Sequence, residues 1–225
     1  MLSKLGYWKG DLTCKKVDYD THENSGLVFL NDLLLKKVDY DKNYSVFVNP
    51  EKVIEVEQLF YKINLEPFKE FVDNCEQSGP WIWKDPRLWV TFPFWVHLLA
   101  KDSFHVVFVD RSISQRWISE LLRRNVQTID YCKQYNFQVE KIIKNFITHY
   151  NLNCYDVFFD DLIQYPEVNL AKCNLFFEGD LTVENLQAIY NKPLYKKTHA
   201  KKNLFLAVII FLMNYRERLK KYNEG

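Results

Sequence analysis

The chain has 225 residues, of which 48% are hydrophobic, and its 30 Lys and Arg nearly balance its 29 Asp and Glu. This size and composition suit a single domain with a substantial buried core, and they exclude a disordered chain, a collagen and a disulfide-stapled miniprotein. A net charge near zero also argues against a general nucleic-acid binder, which carries a clear basic excess.

The basic charge is concentrated at the C-terminus, where positions 192–225 hold nine Lys and Arg against two Glu. An anion site elsewhere in the chain must therefore be formed by a few basic residues and not by a broad basic surface. The five cysteines form an odd set without a C-x-x-C pair, so neither a disulfide framework nor a zinc knuckle is indicated. With no secretory signal at the start of the chain, we expect a cytoplasmic protein.

Predicted strands and helices alternate along the chain. In chain order the patterns predict a helix at 50–73, a strand at 81–83, a helix at 88–100, a strand at 105–109, helices at 113–124 and 128–150, a strand at 155–159 and a last helix at 203–222. This alternation is typical of a mostly parallel sheet covered on both faces. Ligands in such sheets bind at the carboxyl ends of the strands.

The first predicted strand ends in Lys84, Asp85, Pro86 and Arg87. One interpretation is a turn in which Asp85 forms an ion pair with Arg87. The other is an anion clamp, in which Lys84 approaches developing negative charge. The spacing alone leaves both open.

The second predicted strand leads into Arg111, and Ser112 with Gln115 three residues later has the pattern of a capping box. A helix that starts there favours an anion at its N-terminus. On that helix a polar face lies opposite an apolar stripe and is well explained as a solvated surface; it contains Arg116, Ser119, Glu120 and Arg123.

The third predicted strand ends in Asp160 and Asp161. Two adjacent carboxylates could ligate a metal or cap a helix. Because no His is nearby and no third carboxylate has ligand spacing, the cap is favoured.

Four segments in this order resemble the PAPS-dependent sulfotransferases, in particular the bacterial-type branch of that P-loop superfamily. They are 79–88, which is similar to a W-x-W-K-D-P-R-L segment; 107–111 with Ser119, which is similar to a 3′-phosphate element; 155–167, which is similar to an E-D-L-x-x-x-P-E turn; and 21–34, which resembles the stretch after the phosphosulfate-binding loop. The resemblance implies a P-loop-NTPase-like three-layer α/β/α fold.

Two departures from the family accompany the resemblance. Ile113 stands where the family usually has proline, and no glycine-rich phosphate loop occurs in the sequence. We therefore expect a fold whose first strand and loop are missing, a gap in the sheet at that place, and binding without turnover in the 225-residue form. The expected organisation is an N-terminally truncated sulfotransferase-like domain at 1–202 and a C-terminal amphipathic basic helix at 203–225.

The function that the resemblance implies is transfer of a sulfuryl group from PAPS, as co-substrate and without a metal, to a hydroxyl or amine. Arg111 and Ser119 would bind the 3′-phosphate, and Lys84 would lie near the sulfuryl group. Arg87 would brace the turn of Lys84 and belong to the cofactor-binding residues. His22 and Glu23 are the candidate catalytic bases. The basic run at 196–202, with Lys197 and Lys201, is either a second phosphate contact or a solvated surface.

The acceptor is a glycan or another small molecule that the sequence does not identify. The alternative is a non-catalytic sulfotransferase-like binding or interaction protein, or an inactive fragment; a P-loop kinase is a distant third. No nucleic-acid partner is expected. The apolar and basic segment 204–222 is better explained as a docked helix than as a peripheral membrane contact.

Overall fold

The structure is a computed structural model that describes residues 5–15, 20–41, 44–45, 47–122 and 128–190, together with residues 205, 208, 209 and 212. It is an α/β protein in which helices predominate. The described elements, in chain order, are β1 (Thr13–Lys15), β2 (Asp20–Asn24), α1 (Ser25–Lys37), α2 (Pro50–Gln58), α3 (Glu66–Gln77), α4 (Leu88–Val96), β3 (Val106–Asp110), α5 (Ile113–Leu122), α6 (Ile129–His149), β4 (Cys154–Phe158), α7 (Phe159–Gln164), α8 (Pro166–Phe177) and α9 (Val183–Tyr190).

The strands of the described residues form two small sheets. β1 and β2 are antiparallel, whereas β3 and β4 are parallel, with Val106 opposite Cys154 and Asp110 opposite Phe158. The parallel pair confirms two of the three predicted strands. The continuous central sheet that the sequence predicted is not formed by the described residues, and the P-loop-like fold stays a prediction.

The predicted strand at 81–83 is reduced to an isolated parallel bridge between Trp8 and Trp81. The Trp8 amide donates to the Pro80 carbonyl oxygen over 2.7 Å, and the Ile82 amide donates to the Trp8 carbonyl oxygen over 2.8 Å. Composition favoured a strand here, but a strand is defined by pairing, and this segment is paired on one edge only within the described part of the chain.

The helix predicted at 50–73 is two helices, α2 and α3, because the intervening residues turn the chain and Pro67 starts a new helix in its first turn. The helix predicted at 128–150 is α6, and Thr128 caps it by accepting a hydrogen bond from the Tyr131 amide. The predicted C-terminal helix at 203–222 lies mostly outside the described residues, although the four that are described are helical.

The main core lies among α1, α2, α3 and α4, with Trp95, Phe94, Phe68, Leu34 and Leu35 almost fully buried. This packing fixes α1 against the turn that precedes α4, where the candidate site lies. A smaller apolar cluster lies within the last three described helices, α7, α8 and α9. Among the described residues, no helix is both long and apolar enough to cross a membrane.

Candidate functional site

A buried polar network holds the turn before α4. The Asp85 side chain has no exposed surface, and its oxygens accept hydrogen bonds from Asn31 Nδ2, the Arg87 amide and an Arg87 terminal nitrogen, each over 2.9 Å. Asn31 in turn accepts a hydrogen bond of 2.8 Å from Trp95 Nε1. A buried carboxylate with three donors is fully satisfied, so it rigidly fixes the residues on either side of it.

Arg87 completes this network and does not face the cavity described below. Its side chain is only 16% exposed, and its Nε donates to Asp32 while a terminal nitrogen donates to Asp85. Burial opposes the charged guanidinium, but Asp85, Tyr44 and Asp32 together outweigh it and raise the pKa of Arg87 above its ordinary value. Of the two interpretations that the spacing left open, the structure shows the ion pair between Asp85 and Arg87.

Lys84 and Glu23, two of the predicted catalytic residues, are brought together from distant parts of the chain. Lys84 Nζ donates to the Thr21 carbonyl oxygen over 2.5 Å and lies 3.6 Å from a Glu23 carboxylate oxygen. The Lys84 side chain is exposed, whereas the Glu23 side chain is 19% exposed. The pair thus places a cation and a carboxylate side by side at the edge of solvent.

His22, the other candidate base, has a different environment from Glu23. Its φ is 59°, a left-handed conformation, and its amide donates to Asp20. Burial, followed by the charge of Lys9, lowers the pKa of His22, so the ring is neutral at pH 7. Lys9 Nζ lies 2.8 Å from His22 Nδ1 and can only donate there, which occupies the lone pair of the neutral ring and assigns its proton to Nε2.

A cavity of about 1130 Å³ lies beside Lys84 and Glu23. One wall is the backbone segment 79–86 and another is the segment 103–109, which contains most of β3. Apolar side chains of α4 and α6 line it as well, including Leu88, Phe92 and Ile143. The candidate site is therefore the Lys84 and Glu23 pair at the margin of a large, mainly apolar cavity.

The carboxyl end of β3 differs from the prediction of a capping box. Gln115 does not bond back to the Ser112 amide; its side chain accepts from Arg111 Nε over 2.8 Å and donates to Asp160 over 2.6 Å. Asp160 instead accepts the Ser112 amide, over 3.0 Å, and therefore caps α5 from the end of β4. Asp160 thus acts as a cap, as the sequence favoured, but for a helix that precedes it by more than forty residues.

The Arg111 guanidinium lies over the Phe159 ring, 5.1 Å from its centroid. Beyond the bond from its Nε, no hydrogen bond joins its terminal nitrogens to another residue of the described chain. Ser119 lies half-buried two turns along α5. Of the two residues predicted to bind a phosphate, Arg111 therefore lies just before α5 and Ser119 lies on it, and neither contacts the Lys84 and Glu23 pair in the described structure.

Arg116 is a site residue that the sequence did not single out. Its guanidinium forms an ion pair with Asp110 and donates to Asn136, and both Arg116 and Asn136 line the cavity. Burial lowers the pKa of Arg116. The periodicity of the polar residues on α5 indicated a solvated face, because the sequence carries no signal that α6 packs against it. Lys197, Lys201 and Arg123 lie outside the described residues.

Comparisons with known proteins add no assignment. No model of a protein family, no curated protein and no solved structure matches this chain. Within the described residues, no group of three His, Cys, Asp or Glu side chains is arranged to hold a metal ion.

Proposed function

We propose that this chain is the nucleotide- and acceptor-binding body of a PAPS-dependent sulfotransferase. The observation that carries the proposal is the pairing of Lys84 with Glu23 beside a large cavity whose other wall is β3, the strand that leads to Arg111. Sulfuryl transfer needs a base for the acceptor proton and a cation near developing negative charge, and this pair supplies both.

The residues at the start of α5 fit the 3′-phosphate of the nucleotide in part. Arg111, two residues before α5, offers its terminal nitrogens, which can bind a phosphate through two parallel hydrogen bonds, and the Ser119 hydroxyl lies on α5. The Ser112 amide is already bonded to Asp160. Arg87 does not fit a ligand-binding role, because two carboxylates hold its guanidinium.

PAPS, when bound, supplies the activated sulfuryl group. In this chain Glu23 accepts the proton of the acceptor hydroxyl or amine, while Lys84 stabilises negative charge beside it. Glu23 is the better base because the lone pair of His22 is occupied by Lys9. Trp81 lines the cavity next to Lys84 and offers an aromatic face to a sugar, which makes a carbohydrate one candidate acceptor.

A second function, nucleotide binding without transfer, is favoured by one observation. The anion position at the start of α5 already holds the Asp160 carboxylate, and the 225 residues contain no glycine-rich phosphate loop. Such a protein would bind 3′-phosphoadenosine and present its surface to a partner. The two functions differ only in turnover, so binding and transfer are tested separately.

The binding test compares 3′-phosphoadenosine with AMP, which lacks the 3′-phosphate. We expect a larger thermal stabilisation by 3′-phosphoadenosine, and Arg111→Ala should weaken its binding by about 1.5–3 kcal/mol because a charge-assisted contact is lost. Lys133→Ala is the matched control, since Lys133 is an exposed cation on α6. Equal stabilisation by both nucleotides would contradict the assignment of Arg111.

Because the 225-residue form is expected to bind without turnover, the transfer test follows radiolabelled sulfate from PAPS to a panel of glycans, phenols and lipids both in that form and in a form to which a phosphosulfate-binding loop has been added before residue 1. Transfer that is lost in Glu23→Gln and Lys84→Ala, but retained in His22→Gln, would support catalysis by the Lys84 and Glu23 pair. Loss in His22→Gln alone would assign the base to His22. Selective binding of 3′-phosphoadenosine with no transfer to any acceptor would support the non-catalytic function.

A further inference from the structure

Within the described residues, β3 has one edge paired with β4 and one edge without a partner. The Val106 amide donates to the Asn153 carbonyl oxygen over 2.9 Å, and β3 keeps an unbroken parallel register with β4. Because successive residues of a strand direct their backbone groups to opposite edges, Val106 and Phe108 bond to β4 while Val107 and Val109 point away from it. Within the described chain, no backbone hydrogen bond is formed by Val107 or Val109.

The opposite wall of the cavity has the same arrangement. Pro80 and Ile82 direct their bonded backbone groups to Trp8, so by the same alternation Trp81 and Trp83 direct theirs to the other edge. Those groups of Trp81 and Trp83 form no backbone hydrogen bond with another described residue. Each wall of the cavity is therefore an extended segment that the described residues pair on a single edge.

The cavity between these walls has a volume close to that of one strand. It follows each of them over a continuous run, 79–86 and 103–109, and its volume is about 1130 Å³. A slot one strand wide (about 4.8 Å), one sheet layer deep (about 10 Å) and about 20 Å long, the length of six residues, encloses roughly 1000 Å³. We name this cavity the strand groove.

We propose that the strand groove binds an extended, apolar polypeptide segment as an added β-strand. A strand carries backbone donors and acceptors on both edges, at the two-residue spacing that the two walls share. A small organic ligand does not carry such a regular set of donors and acceptors. The groove is lined on one side by Leu88, Phe92, Val139, Ile143 and Phe146, so the segment needs apolar side chains at alternate positions. This inference does not rest on sulfuryl transfer, although the strand would occupy the cavity in which the acceptor is proposed to bind.

Amide hydrogen exchange tests the arrangement in the full chain. In the free protein the Val107 and Val109 amides should exchange much faster than the Val106 and Phe108 amides, which bond to β4. A soluble probe peptide of alternating Val and Thr, flanked by lysines, should then slow exchange at Val107 and Val109 selectively. Slow exchange of these two amides in the free protein, or no slowing by the peptide, would overturn the proposal.

The peptide itself provides the matched control. Methylation of alternate amide nitrogens removes its donors but keeps its apolar surface, and binding followed by tryptophan fluorescence should weaken about tenfold or more. Equal binding of both peptides would show adsorption to an apolar surface and would refute strand addition. Neither result involves a nucleotide, so this proposal fails or succeeds apart from the proposed function.

A protein variant gives an independent readout. Val109→Pro removes one groove-facing N–H from a residue whose side chain is largely exposed, and Val109→Thr keeps it. The proline variant should bind the peptide about tenfold more weakly than the threonine variant. Equal binding by the two folded variants would contradict the proposal, and the exchange pattern of the unmodified protein decides the question if the proline variant does not fold.

Discussion

The buried Asp85 carboxylate should be the most costly polar side chain to remove from the candidate site. Asp85→Ala takes away the acceptor of three hydrogen bonds and leaves Asn31 and one arm of Arg87 without it. Breaking a buried ion pair from one side typically costs about 3–5 kcal/mol. Because Arg87 keeps its contact with Asp32, we expect about 3 kcal/mol, and about 2 kcal/mol for Asp85→Asn, which preserves volume and one acceptor.

Urea unfolding followed by tryptophan fluorescence measures these losses, with an unchanged slope showing that the unfolding transition is comparable. The control is Glu66→Ala, which removes an exposed ion pair with Lys69 and should change the free energy of unfolding by less than about 0.5 kcal/mol. An Asp85→Ala loss no larger than that of Glu66→Ala would refute the reasoning that this network fixes the turn that carries Lys84.

Two further predictions concern stability. The hydrogen bond from the His22 amide, followed by those from Thr13 and Lys9, lowers the pKa of Asp20 from 3.8 to about 2. The ionised Asp20 therefore stabilises the folded state above the ordinary pKa, and this contribution is lost as the pH falls from about 4 to about 2. Asp20→Asn should remove this part of the pH dependence of acid unfolding, and an unchanged unfolding profile would contradict the prediction. Thr128→Ala should cost about 1 kcal/mol in urea unfolding by removing the α6 cap, whereas Thr128→Ser should retain most of it.

The sequence predicted those features that depend on neighbouring residues. The apolar runs at 105–109 and 155–159 correspond to β3 and β4, and the 3.6-residue periodicity before Tyr150 corresponds to the long helix α6. Asp85 and Arg87, two residues apart, form the ion pair that was one interpretation of their spacing. Each of these needs only the local period or a short turn to form. Local pattern was therefore sufficient for them.

Features that depend on long-range pairing were not predictable in the same way. The bond from Ser112 to Asp160 and the approach of Glu23 to Lys84 join residues that are far apart in the chain, so no spacing rule applies to them. The segment at 81–83 has a strand composition, yet the available partner decides how much of it pairs. A single sequence shows the propensity of a segment to form a strand but does not identify the segment with which it pairs.

The strand groove is adjacent to Lys84, so a strand bound there should affect Lys84 and Arg111 differently. Lys84 lies near the end of one groove wall, so a bound strand would pair with the backbone next to Lys84 and would change any chemistry that depends on this side chain. Arg111 is held by Gln115 and stacks on Phe159, contacts that do not involve that wall. A peptide in the groove should therefore change the rate of sulfuryl transfer and leave the affinity for 3′-phosphoadenosine nearly the same. A large change in that affinity would contradict this prediction, because it would show that the groove and Arg111 are coupled by contacts other than those named here.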